Sequence, residues 1–189
     1  STKAIMATYS SNNILDLAGK IVYPGFIDAH CHFYGYGAGL RMVDLVGTYS
    51  FEEVLEKLEK QDDTHEQAWI TGRGWDQNDW ESKEFPDREE LDKLFPDKPV
   101  ILIRIDGHAA LVNNKALEIA GVSTKTKIAD GEFEIKSGRL TGILIDGAVG
   151  YVNSFLPEPG KAEIEKSLLA AQKNCISVGL TSVQDAGLD

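Results

Sequence analysis

The longest helical pattern of the chain leads directly into a strand-like segment, and this junction limits the folds available to the sequence. Residues 161–178 carry apolar side chains at helical spacing, Gly179 ends the pattern, and "LTSVQD" follows as a strand. A helix followed by a strand is half of a βα unit, which normally takes about 30 residues. If the apolar segment "GFIDAHCH" is the first strand, 147 residues, 33–179, separate the two strands. Either they are unrelated, or a large insertion with its own strands and helices lies between them.

The intervening segment carries patterns for both helices and strands. Helices are predicted in "SFEEVLEKLEK", where Ser50 and Glu53 have the spacing of a capping box, and in "PDREELDKLF" and "NNKALEIAGV". Strands are predicted in "AWITGRGWD" and "VILIRID". The continuous apolar run of "VILIRID" is typical of a strand buried on both faces. "GEFEIKSGRLTGILID" predicts a hairpin with a tight turn at Ser137 and Gly138. His65 is interpreted as a solvated residue at a helix end.

Charge and cysteine content limit the partners and the compartment. The formal net charge is −11, and no cluster of Lys and Arg is visible, so we expect neither nucleic acid nor a membrane surface as a partner. No stretch of about 18 apolar residues predicts a membrane span. The first residues lack a signal-peptide pattern. Cys31 and Cys175 are expected to be free thiols, in a protein of the cytoplasm.

Two of the four histidines stand at alternate positions near the end of the first predicted strand. Because strand side chains alternate, His30 and His32 point to one side together with Asp28, while Cys31 points to the other. Two such imidazoles can bind one divalent ion at about 2.0–2.1 Å per nitrogen, and Asp28 could orient one of them by a hydrogen bond. The alternative is a pair of ordinary surface or core histidines. The apolar run before them and the aspartate favour metal, but the spacing leaves both interpretations open.

The motif "VYPGFIDAHCH" resembles the first-strand signature of the amidohydrolase superfamily, approximately PGFIDxHxH. The blocks "WITGRGWDQNDW", "RIDGHAALVNNKALEIAGV", "GRLTGILIDGAV" and "GLTSVQDAG" follow in the order of one subgroup, whose members have a long insertion between barrel strands one and two. The resemblance implies an α/β fold, a partial (β/α)8 barrel fragment that carries a mixed α+β insertion. Its implied parts are an N-terminal remnant with barrel strand one (1–41), the insertion (42–158), and barrel helix one with strand two (159–189).

The resemblance also implies a function. Members are metal-dependent hydrolases that use a metal-activated water on non-peptide C–N bonds of small molecules, such as amides and formamides. Zinc or a similar divalent ion is the implied cofactor, with His30 and His32 as its first two ligands and Asp28 at the acidic position of the motif. The family's other ligands belong to later strands, so the chain is interpreted as a fragment. We expect it to be inactive by itself and to bind metal weakly or not at all.

A second interpretation of the chain is a non-catalytic folded module or a self-associating interaction domain. An incomplete barrel exposes sheet edges and apolar helix faces, which favours pairing, so a homo-oligomer is expected in this case.

Three further residues are candidates for substrate contact. His108 follows a buried strand, in a block that borders the active-site cavity of the resembling family; the alternative is a histidine that fixes the turn. Asp106 is a pocket residue or, as the pattern favours, a turn residue. Trp75 could form a wall of a pocket, although a large aromatic in an insertion more often belongs to its core. Asp146 stands where many relatives carry an acidic residue, usually glutamate, and Asp185 is expected to make a structural hydrogen bond.

Overall fold

The strands of the chain form two sheets in the computed structural model, which describes residues 2–60 and 68–187. The helices are Thr2–Thr8 (α1), Phe33–Gly39 (α2), Phe51–Lys60 (α3), Glu89–Leu94 (α4), Asn114–Ile119 (α5), Gly147–Asn153 (α6) and Lys161–Ser177 (α7). The strands are Phe26–Cys31 (β1), Val43–Asp44 (β2), Ile70–Trp75 (β3), Val100–Arg104 (β4), Ala109–Val112 (β5), Gly131–Lys136 (β6), Arg139–Asp146 (β7) and Leu180–Asp185 (β8). No helix in this described part is long and apolar enough to cross a bilayer. His65 lies outside the described residues.

The smaller sheet pairs β1 with β8 in parallel, and Cys31 lies opposite Asp185. Helix α7 reaches β8 through Gly179, whose φ of +83° is the left-handed conformation in which helices commonly end. Helix α7 packs against α2 so closely that a Cβ at Gly37 would lie 2.4 Å from the carbonyl oxygen of Ser167. The two strands are therefore neighbours joined by a helix, and the alternative of unrelated strands is wrong. This parallel arrangement confirms the α/β class and agrees with a partial barrel.

The larger sheet is built from strands that lie between β1 and β8 in the sequence. Its order is β2-β3-β4-β5-β7-β6, with β2, β3 and β4 parallel and the remaining neighbours antiparallel. This mixed sheet, with its helices, is the α+β segment that the long spacing predicts. The limits 42–158 of that segment stay a prediction.

Helices cover both faces of the larger sheet. Val100 and Leu102 of β4 point into a core shared with α3 and α4, whereas Ile101 and Ile103 point into a core shared with α5 and α6. The alternation of strand side chains therefore buries every apolar position of "VILI". The predicted strand buried on both faces is confirmed.

The local turn chemistry is also as predicted. Strands β6 and β7 form an antiparallel hairpin, and Ser137 and Gly138 between them have φ of 52° and 79°. Two positive φ values at the central residues are what a two-residue type I′ turn requires. Helix α3 begins next to Ser50, whose hydroxyl oxygen accepts a hydrogen bond from the Glu53 N–H at 3.3 Å.

Strand β1 differs from the buried strand that its apolar sequence predicts. Phe26 and Ile27 are 67% and 70% exposed. Among the described residues β1 has β8 as its single neighbouring strand, so its apolar side chains lack a second layer to pack against. Val178, the last residue of the predicted apolar helix pattern, is likewise exposed and lies just beyond the end of α7.

Candidate metal centre and an exposed histidine–aspartate pair

The structure brings His30 and His32 together at the carboxyl end of β1. His30 lies in the strand, and His32 is the residue from which α2 begins. The centres of the two rings are 5.9 Å apart and their planes are nearly perpendicular, at 84°. Both residues are exposed. The neighbouring Cys31 thiol instead contacts the Gln184 carbonyl oxygen on β8, at 3.4 Å.

The spacing of the two imidazoles allows both to reach one divalent ion. Imidazoles bound through nitrogens at about 2.1 Å have ring centres about 3 Å from the ion, hence about 5 Å apart at a tetrahedral angle and at most about 6 Å apart. The observed 5.9 Å is near the upper limit, and imidazole nitrogens suit zinc. Within residues 2–60 and 68–187, no group of three or more His, Cys, Asp or Glu side chains is arranged to hold a metal. The pair therefore fits as two members of a larger ligand set.

Asp28 contacts the backbone next to the pair. Its Oδ1 accepts a hydrogen bond from the His30 N–H at 3.1 Å. This contact fixes the strand at the position where the first imidazole projects. The role predicted for the carboxylate, orienting an imidazole ring, stays a prediction.

Asp185 holds the region of the pair from the neighbouring strand. Its carboxylate accepts hydrogen bonds from the Tyr34 N–H at 2.8 Å and the Gly187 N–H at 2.9 Å. These two N–H groups, in that order, lower the pKa of Asp185, and the nearby charge of His32 adds to the effect. A Cβ at Gly187 would lie only 2.6 Å from the His32 Nδ1, so a glycine leaves room for that ring.

The sequence predicts only a structural hydrogen bond for Asp185, and its place beside the histidines comes from the pairing of β8 with β1. The sequence did contain a signal for this neighbourhood, because the carboxyl ends of adjacent parallel strands meet at one edge of a sheet. The residue that ends β8 is therefore expected beside the residue that ends β1.

A second polar group lies on the larger sheet, where His108 meets Asp146. The imidazole Nδ1 is 2.9 Å from the Asp146 Oδ1, and the two side chains are 78% and 56% exposed. Asp106 accepts a hydrogen bond from the His108 N–H at 3.0 Å and pairs with Arg104. Asp106 thus has the contacts of a turn residue, which the sequence pattern favours. Substrate contact by His108 or Asp106 stays a prediction.

The partnership of His108 with Asp146 was not visible in the sequence. It depends on the antiparallel register of β5 and β7, which places Ala109 opposite Ile145. Asp146 ends β7 and precedes α6 with φ of 48° and ψ of −119°, a region occupied almost only by glycine and worth about 1–3 kcal/mol of strain. An exposed ion pair typically stabilises a folded protein by about 0–1 kcal/mol.

Trp75 lies in the core of the larger sheet rather than at a surface. It is 1% exposed, and its indole N–H donates to the Leu102 carbonyl oxygen at 2.8 Å. It stacks on Trp80 with ring centres 5.8 Å apart. This burial leaves almost no surface for a substrate, so core packing, the alternative weighed from the sequence, is the role that the placement supports.

An open cavity of about 510 Å³ lies between residues 49–52 and 80–86. None of the predicted site residues lines it. It therefore gives no support to the sites predicted from the sequence.

Comparison with known proteins identifies relatives that match most of the chain. The sequence profile of the Amidohydrolase family matches residues 13–189. The chain is 38% identical over 176 residues to Protein LONG AFTER FAR-RED 3 of Arabidopsis thaliana, covering 92% of this chain and 30% of that protein. It is 32% identical over 184 residues to the N-substituted formamide deformylase of Arthrobacter pascens, covering 92% of this chain and 34% of that protein.

A solved structure has the same fold. The crystal structure of an uncharacterized metal-dependent hydrolase from Pyrococcus horikoshii OT3 superposes with a TM-score of 0.70 at 30% identity, covering 96% of this chain and 34% of that one. The chain thus spans about a third of the length of the relatives that it matches.

Proposed function

Because the chain belongs to the amidohydrolase family, we propose that it supplies two metal ligands to a metal-dependent hydrolase that cleaves an amide- or formamide-type C–N bond. The observation that carries the proposal is the side-by-side placement of the His30 and His32 rings, 5.9 Å apart, at the carboxyl end of β1. Enzymes built on parallel strands place their chemistry at this end.

The residues around the pair have a positioning task. When bound, a divalent ion such as zinc supplies Lewis-acid chemistry that acidifies a water molecule and polarises a substrate carbonyl. His30 and His32 would hold the ion. Asp28 fixes the backbone of the first ligand, and Asp185 fixes the start of α2 directly after the second.

The substrate class rests on similarity and on charge. One relative is an N-substituted formamide deformylase at 32% identity, which favours a small molecule with an N-acyl group. The net charge of −11 supports a partner other than nucleic acid, because phosphate binding requires clustered cations.

A zinc titration of the chain tests the metal site. Competition with a chromophoric chelator is expected to show at most weak binding, since two imidazoles are fewer than the three or more protein ligands of catalytic zinc sites. That weak binding is expected to disappear in both His30→Ala and His32→Ala. His108→Ala is the matched control, because it removes an exposed imidazole elsewhere. Binding that survives both changes, or that is lost equally in the control, would contradict the proposed site.

An activity assay accompanies the titration. We expect no measurable hydrolysis of a simple N-substituted formamide by this polypeptide. Turnover that disappears on chelation of the metal would contradict the predicted inactivity and would favour a complete site within the chain.

The second candidate function is self-association, which exposed apolar side chains favour. Phe26 and Ile27 on β1 and Leu169, Ile176 and Val178 at α7 are all exposed, and exposed apolar groups next to a strand edge promote pairing between copies. Sedimentation over a range of protein concentrations tests this. A concentration-dependent mass that Ile27→Lys abolishes would support it, and a monomer at all concentrations would exclude it.

A further inference from the structure

The pair formed by His108 and Asp146 is not used by the proposed metal site. The side chains meet at 2.9 Å, and the Asp146 N–H donates to the His108 carbonyl oxygen at 2.8 Å. Asp146 therefore binds His108 through both its backbone and its side chain. On the other side, the His108 N–H donates to Asp106 at 3.0 Å. The histidine is held from two sides while most of its ring faces solvent.

The backbone of Asp146 is strained in a way that the stability of the pair does not explain. Its φ of 48° and ψ of −119° lie in a region that favours glycine. Such strain persists where the surrounding structure over-determines it, and it concentrates at functional sites. The free-energy cost of this backbone strain is larger than the stabilisation that an exposed ion pair normally provides. The conformation therefore requires a reason other than the ion pair.

A covalent role for Asp146 does not fit its surroundings. A nucleophile elbow also places its residue at a strained strand-to-helix turn, and it uses the N–H of the next residue to stabilise an oxyanion. Here the Gly147 N–H donates to the Asp130 carbonyl oxygen at 2.9 Å. A Cβ at Gly131 would lie 2.4 Å from the Ala148 nitrogen. Both amides are enclosed, so the geometry gives no support to a nucleophilic role, and the contact of Asp146 with the His108 ring is what remains to be explained.

We infer that Asp146 is a positioning residue that holds His108 in the tautomer protonated at Nδ1, so that Nε2 faces solvent as a hydrogen-bond acceptor for an amide-type substrate. The substrate class rests on the proposed function, whereas the tautomer rests on the geometry of the pair. Nε2 is then placed to accept a hydrogen bond from the N–H of such a substrate, while the Asp146 carboxylate holds the ring in that orientation.

Nitrogen-15 NMR of the full chain tests the tautomer. At a pH where the imidazole is neutral, we expect the His108 Nδ1 to carry the proton and Nε2 to have the shift of an unprotonated nitrogen. Asp146→Asn, which keeps the size of the side chain, is expected to weaken that preference. Asp146→Glu, which restores a carboxylate, is expected to recover it. A wild-type His108 protonated at Nε2 would overturn the inference without reference to any variant.

Reactivity with diethyl pyrocarbonate tests the unprotonated nitrogen. The reagent acylates an unprotonated imidazole nitrogen, and mass spectrometry of peptides measures the rate at each histidine. At a pH where the imidazole is neutral, we expect Asp146→Asn to lower the rate at His108 by about threefold or more, because without the carboxylate the ring no longer favours the tautomer whose solvent-facing Nε2 is unprotonated. His30 is the internal reference. Asp106→Asn is the matched control, since Asp106 contacts the His108 backbone and not the ring.

The results separate this inference from the proposed function. An unchanged rate at His108 in Asp146→Asn would overturn the positioning role, as would an equal loss in Asp106→Asn. Asp146→Asn is expected to leave the zinc titration unchanged. If zinc binding survives both His30→Ala and His32→Ala while His108 behaves as expected in both tests, the assignment of an amide-type substrate is removed and the positioning role of Asp146 remains.

Discussion

Replacement of Asn113 by alanine is expected to destabilise the larger sheet strongly. Asn113 is fully buried and begins α5. Its Oδ1 accepts hydrogen bonds from the Val100 N–H at 3.0 Å and the Ala116 N–H at 3.1 Å. Its Nδ2 donates to the carbonyl oxygens of Phe95 and Lys98 at 2.9 and 2.8 Å. One side chain thus joins a helix start, the beginning of β4 and the loop after α4.

The size of the effect follows from these four contacts. Loss of the helix cap costs about 1 kcal/mol. The Val100 N–H, left buried without its acceptor, costs about 1–3 kcal/mol. The two bonds from Nδ2 add about 1 kcal/mol together after exchange with water. We therefore expect Asn113→Ala to lower the free energy of unfolding by about 3–5 kcal/mol.

Urea unfolding followed by tryptophan fluorescence measures this effect. All three tryptophans, Trp69, Trp75 and Trp80, are buried in the cores of the larger sheet, so their emission reports on the affected unit. Asn114→Ala is the matched control. The adjacent Asn114 is exposed, and its side chain contacts Glu118 on the same helix at 2.6 Å, a surface pair worth about 0.2–0.5 kcal/mol. A loss below about 1 kcal/mol for Asn113→Ala, or equal losses for both variants, would refute the reasoning.

Two further outcomes are expected. Because the pKa of Asp185 is lowered in the folded chain, its carboxylate stabilises the fold above its unfolded pKa of about 4, and this contribution is lost as the pH falls through the lower folded pKa. Acid unfolding of Asp185→Asn should therefore start at a higher pH and depend less steeply on pH than that of the unchanged chain. Identical acid profiles would count against the contacts of Asp185 with Tyr34 and Gly187. Trp75→Phe removes the hydrogen bond from the buried indole to the Leu102 carbonyl oxygen and part of the core volume. We therefore expect the free energy of unfolding measured with urea to fall by about 2 kcal/mol. An unchanged free energy of unfolding would contradict a core role for Trp75.

Strands β3, β4, β6 and β7 of the larger sheet follow from the sequence because their signals are local, whereas β2 and β5 were not predicted. The "VILI" run, the Ser137-Gly138 turn and the Ser50 cap depend on the alternation of strand side chains, on backbone sterics and on nearby hydrogen bonds. Each predicted an element that the structure contains. Asn113, in contrast, reads in the sequence only as part of a short helical pattern, although its buried side chain binds three separate segments.

The candidate sites likewise combine features that the sequence predicts with features that only the packing of distant segments decides. Because strand alternation and one short motif place His30 and His32, the sequence alone predicted that they would lie together. The burial of Trp75, the exposure of β1 and the contact of Asp185 with the start of α2 depend on which elements become neighbours. The contact between His108 and Asp146 depends on the register of β5 with β7.

The sequence by itself determined the helices α3, α4, α5 and α7, the strands other than β2 and β5, the parallel relation of the two outer strands through their resemblance to a family, and the pairing of two imidazoles. The tertiary structure decided which apolar residues are buried and which carboxylate meets which backbone or ring. The physical reason is range: propensity, turn geometry and alternation act between residues close in the chain, whereas burial and the contact of His108 with Asp146, 38 residues further on, arise only when distant segments pack.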